Sequence, residues 1–155
     1  MLCSRLVYVC GPYGGAFRRL WAGNGNPPTG EKAPAYDPGA APSAQFANVH
    51  CVKIANDGLV YVCDRINNRI QVFHKDGSFV REWVYMKETK ASAAAWDIYF
   101  WPDKDQTFFI NVDGSNEEFR VVRRSDGEVV STVGSGGRGA GFFFVENAEP
   151  HGDGG

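Results

Sequence analysis

The chain has 155 residues, 43% hydrophobic and 14% aromatic, enough to build one domain with a real core and to exclude a disordered polymer. Its formal charge of -2 arises from interspersed acids and bases, with Arg18 and Arg19 and then Arg123 and Arg124 as the only adjacent arginines, so nothing marks a nucleic-acid-binding surface. No apolar run approaches the roughly 18 residues of a membrane helix, and the opening MLCSRLVYVC is too short and too interrupted for a secretory apolar region.

Short alternating segments rich in Val, Phe, Tyr and Trp recur along the chain, each closed by Gly, Asp or Asn, and no stretch keeps a helical period. The expected fold class is therefore all-β. Strands are predicted near 6 to 10 and 16 to 21, then near 49 to 55, 59 to 63, 69 to 74 and 79 to 84, and finally near 95 to 100, 107 to 112, 118 to 123 and 128 to 133. NDG at 56 to 58, KDG at 75 to 77 and SDG at 125 to 127 supply the positive-φ residues of tight hairpins. The Pro-, Gly- and Ala-rich stretch 22 to 46 reads as an exposed excursion over one face. Cys3, Cys10, Cys51 and Cys63 lack C-x-x-C spacing and are read as ordinary buried thiols rather than disulfides.

The chain is self-similar. CDRINNRIQVFHKDGSFVREW at 63 to 83 is echoed by VDGSNEEFRVVRRSDGEVVSTV at 112 to 133, with Asp64 answering Asp113, Asn67 answering Asn116 and Gly77 answering Gly127. Upstream, GGAFRRLW at 14 to 21 matches DGSFVREW at 76 to 83. A period near 40 to 50 with four short strands per copy is the pattern of a β-propeller blade, whose sheet buries its faces only against neighbouring blades. The expected organisation is one incomplete propeller domain over 1-155: a partial blade at 1-21, a long inter-blade loop at 22-46, a blade at 47-84, a connector at 85-93, a blade at 94-133, and the start of a further blade with a Gly-rich tail at 134-155. About two full blades are too few to close a ring, so the chain is expected to be a piece of a longer protein or to form a homo-oligomer that completes the propeller.

NDGLVYVCDRINNRIQVFHKDGSFVREW, 56 to 83, resembles the NHL-repeat family of β-propellers almost throughout, and the second copy resembles it more loosely, with Glu117 and Glu118 where the pattern has a basic residue. The resemblance implies that the polar knot is a structural turn between the second and third strands of a blade. Asp64, Asn67 and Arg69, with Asp113 and Asn116, are then structural residues: the aspartate accepts backbone hydrogen bonds and Arg69 reaches it or a neighbouring blade.

Within NHL propellers the sequence is also similar to the six-bladed peptidylamidoglycolate lyase family, zinc enzymes that split a peptidyl hydroxyglycine into a peptide amide and glyoxylate. QFANVHCVKI at 45 to 54 places His50 where that family carries a zinc-binding histidine, and VCGPYGG at 9 to 15 offers Tyr13 at the place of its catalytic tyrosine. A catalytic zinc needs about three protein ligands, and the other family ligands have no counterpart here. His74 is expected to face solvent beside its hairpin, and His151 lies in the Gly-rich tail. GSGGRG at 134 to 139 is followed by another apparent β segment and so is no dinucleotide fingerprint, while DGSNEE and PDKD lack calcium-loop spacing. The expected function is that of an NHL scaffold or a module that binds a peptide or protein; the alternative is a zinc-dependent, lyase-like enzyme, inactive in this form. No cofactor is otherwise implied, and the compartment stays open, although the lyase-like relatives are often extracytoplasmic.

Overall fold

Ten strands and two short 3-10 turns account for all regular structure in residues 5–10, 17–90 and 93–134, the parts that the computed structural model describes. β1 (Val7–Cys10) pairs antiparallel with β2 (Phe17–Trp21). β3 (Val49–Ile54), β4 (Val60–Asp64), β5 (Arg69–Phe73) and β6 (Phe79–Val84) form a four-stranded meander. β7 (Asp97–Phe100), β8 (Phe108–Asp113), β9 (Glu118–Arg123) and β10 (Val129–Val133) repeat it. Every pairing is antiparallel. Among the described residues the chain is thus an incomplete β-propeller, with two four-stranded blades and a two-stranded partial one, and each predicted strand is present to within about two residues.

Burial along the strands explains why the sheets stack. In the first full blade every residue of β4 and β5 is buried, because this sheet is covered on both faces. In the second, β8 alternates half-buried with buried residues, so one face is tightly covered. Val60, Val62 and Phe73 point to the partial blade and pack with Val7, Trp21 and Phe46. Tyr61, Cys63, Ile70 and Val72 point the other way and pack with Ile98, Phe109 and Val122 of the next blade. Tyr61 is the hub of that seam, its ring centroid lying 5.0 Å from Phe100 and 6.0 Å from Phe109.

A second device repeats with the blades. The tryptophan at or next to the end of one blade's last strand lies on the hairpin glycine of the next: Trp21 against Gly77, and Trp83 against Gly127. Both glycines have positive φ, +92° and +78°, and a Cβ on either would meet the indole ring at 3.0 and 2.2 Å. Glycine is needed there for the turn and again for the seat of the ring.

The cysteines differ from the sequence expectation. Cys51 of β3 and Cys63 of β4 stand directly opposite each other, Cα atoms 4.8 Å apart, and form a disulfide. Their separation of 12 residues in sequence hides an adjacency that only strand register creates. Cys3 lies outside the described residues.

Candidate functional site: polar knots and a roofed cavity

The turn after β4 closes through a 3-10 turn, Arg65–Asn67, and then Asn68 in the left-handed conformation at φ 54°. Asparagine tolerates this backbone and here spends its amide as well: Nδ2 donates to the Thr89 carbonyl at 2.8 Å, and Oδ1 accepts from the Ala94 amide at 2.6 Å. The turn therefore holds the middle and the far end of the segment joining the blades.

Asp64 and Arg69 are both fully buried at the neck of this turn, with Arg69 Nε 2.9 Å from Asp64 Oδ2. Asp64 Oδ1 also accepts the Ala47 and Asn48 amides at 3.0 Å each, and Oδ2 accepts Asn67 Nδ2 at 2.6 Å. Arg69 donates to Glu82 Oε2 at 3.2 Å and to the Gln45 carbonyl at 3.1 Å. Gln71, buried in mid-strand, donates to Glu82 at 2.8 Å, and the Asn24 amide donates to its Oε1 at 3.0 Å. Buried charges persist only when paired and fully hydrogen-bonded, and these partners supply that condition. Two of them, Asn24 and Gln45, belong to the two ends of the 22–46 segment. That segment is largely exposed, as its composition suggests, but its roots at Ala22, Gly23 and Phe46 are buried.

The second knot uses the same parts in a shifted order. Asp113 accepts the Ser115 and Asn116 amides at 3.0 and 2.9 Å, Asn116 Nδ2 at 2.7 Å, and Arg120 Nη1 at 2.6 Å. Glu118 stands opposite Asp113, where Arg69 stands opposite Asp64; Arg120, two residues along, holds the place of Gln71. Arg120 also pairs with Glu118 at 2.6 Å. Sequence reading registered the acids at 117 and 118 and missed Arg120, although a same-face spacing of two from Glu118 would have found it. Asn116 reaches Thr89 Oγ1 at 2.9 Å, so Thr89 is held by both knots.

His50 occupies a β-bulge, the extra residue between the pairs Val49–Asp64 and Cys51–Cys63. Bulges re-aim side chains, and this one carries the imidazole to Trp96 at the start of the next blade. His50 Nδ1 lies 2.6 Å from the Trp96 carbonyl oxygen, to which it donates, and the two rings are 5.5 Å apart. Arg65 lies over the same indole at 5.0 Å, and burial draws its guanidinium below its ordinary pKa. His74 is exposed beside its hairpin. Tyr13 and His151 lie outside the described residues, as does GSGGRG beyond Gly134.

On the same side as the first knot, the long segment roofs a cavity of about 310 Å³. Pro34, Tyr36 and Pro42 of the long segment line it together with Arg69, Val84 and Lys87. The Tyr36 hydroxyl donates to the Lys87 carbonyl at 2.7 Å and pins the roof to the connector.

The strand, the buried aspartate, the left-handed asparagine and the arginine that returns to the aspartate all fall in one matched stretch. Residues 46–73 are an NHL repeat. The match covers β3, β4, the knot and β5, so the NHL repeat here includes Asp64, Asn67 and Arg69 together with the amides of Ala47 and Asn48 that Asp64 holds. No curated protein matches the chain. Among the described residues, no helix is long and apolar enough to cross a membrane.

Proposed function

We propose that the chain is an NHL-type scaffold whose roofed cavity binds a peptide or an extended segment of another protein. The NHL repeat is of the protein-interaction and scaffold type, and the observation that carries the reading is the cavity itself. It is concave and mostly apolar, with few polar groups, as ligand sites generally are. Proline and tyrosine walls suit an extended backbone, and the exposed end of Val84 offers a foothold for one apolar side chain. Arg69 is committed to Asp64, Glu82 and Gln45, so it shapes the site, and Lys87, exposed and only loosely paired with Glu88 at 4.0 Å, is the cation that meets a carboxylate. A displayed-peptide library selected on the full chain tests this. Enriched peptides should lose most of their binding when Val84→Asp and Tyr36→Ala are combined; no enrichment, or unchanged binding to that variant, would contradict it.

The bulge supports a second reading, in which His50 ligates zinc as in a lyase-like enzyme. Donation of Nδ1–H to a carbonyl fixes the tautomer and leaves Nε2 with its lone pair, the usual arrangement of a zinc-binding histidine. The ligand set does not fit: His74, the other described histidine, sits in a hairpin, and the one cluster of potential ligands among the described residues does not include His50. His50 then acts as a tether between blades. Elemental analysis decides, since stoichiometric zinc that disappears in His50→Ala would restore the enzyme reading.

A further inference from the structure

Cys51, Cys63 and Asp97 form a cluster that neither the scaffold nor the histidine reading uses. Their sulfur and carboxylate atoms all lie within 4.8 Å of one another. The two cysteines are buried in β3 and β4 of the first full blade, whereas Asp97 opens β7 of the next. The Asp97 carboxylate is held by Lys53 Nζ at 3.3 Å and by the Ile98 amide at 2.8 Å, and its partial exposure gives the cluster a way to solvent. In the oxidised chain the sulfurs bond to each other and the cross-link stays within one blade.

We propose that, once reduced, Cys51, Cys63 and Asp97 bind a borderline-soft divalent cation of the zinc and cobalt type, so that reduction replaces a cross-link inside one blade with a metal cross-link between two. Thiolate sulfur and carboxylate oxygen are both zinc donors, and three protein ligands leave the fourth, tetrahedral position to water. A dithiol reductant delivers two electrons and two protons to the Cys51–Cys63 bond and leaves as its own cyclic disulfide. The incoming cation then displaces one proton from each thiol to solvent, and its charge takes the place of the Lys53 ammonium beside Asp97. Metal and disulfide exclude each other because both need the same two sulfurs.

Cobalt(II) is the probe, since thiolate ligation gives it an intense sulfur-to-metal charge-transfer band. The full chain, reduced by a dithiol and freed of it under anaerobic conditions, should take up cobalt with that band and show none while oxidised. The band should vanish in Cys51→Ser, and Asp97→Asn should weaken binding by more than about tenfold, a loss that even outer-sphere changes produce. Asp97→Asn keeps the disulfide and the shape of the side chain, so it decides the matter should Cys51→Ser fold poorly. A reduced chain that takes up no cobalt, a band that survives in Cys51→Ser, or unchanged affinity in Asp97→Asn would overturn the proposal.

Discussion

Asp64 shows what a single buried charge can organise. It gathers two part-buried backbone amides, a buried asparagine and a fully buried arginine. Removing one partner of such a pair leaves the other buried without compensation, which costs about 3 to 5 kcal/mol. Arg69→Leu should therefore lower the denaturation free energy by that amount, whereas Lys53→Ala, at the half-exposed pair with Asp97, should cost less than about 1 kcal/mol. Urea titration of both variants checks the contrast. Two tyrosines provide a pH handle. Burial raises the pKa of both Tyr61 and Tyr85, the Arg124 hydrogen bond partly offsetting it for Tyr61. A raised folded-state value means that the unfolded chain ionises first, so stability is intact below about pH 10, the unperturbed value, and falls as pH rises beyond it. Tyr85→Phe should flatten that alkaline decline. At this scale the aspartates of both knots were legible from the echo of 63 to 83 in 112 to 133, but Arg120 was hidden by a two-residue shift along its strand.

For the strands and turns, most of the architecture could be read beforehand, because alternating apolar residues and D-G turns are local signals. The disulfide could not, since pairing of Cys51 with Cys63 depends on the register of two strands. Closing that loop should be worth about 3 kcal/mol, which a Cys51→Ala, Cys63→Ala double variant would lose under non-reducing conditions. The hairpin glycines make a sharper comparison. Gly58 and Gly127 both have positive φ, but a Cβ at Gly58 would meet only the flexible end of Lys75, whereas at Gly127 it would lie 2.2 Å from the Trp83 ring. Gly58→Ala should cost about 1 to 2 kcal/mol from backbone strain alone. Gly127→Ala should cost at least about 1 kcal/mol more, because the indole must leave its seat between blades. Thermal melts of the pair separate turn conformation from blade packing.

Across the whole molecule, the knots and the seams divide the work. Tyr61, Trp83 and Phe109 join the blades through apolar contact, while Asp64, Asn68 and Arg69 fasten the irregular segments that lie over them. The roofed cavity exists because the 22–46 segment is tied at both roots and at Tyr36. Its presence was not legible in the sequence: a Pro- and Gly-rich run announces an excursion, but the partners that hold it come from residues 20 or more positions away. The knots are thus fasteners, and the proposed binding surface is what they fasten. Native-state hydrogen exchange of the Ala47, Asn48 and Ala94 amides tests this most directly, because each donates to a knot side chain and itself lies outside the strands. The fastening predicts that these three exchange as slowly as the amides of β4 and β5. Exchange at the rate of the exposed residues near Gly30 would contradict it.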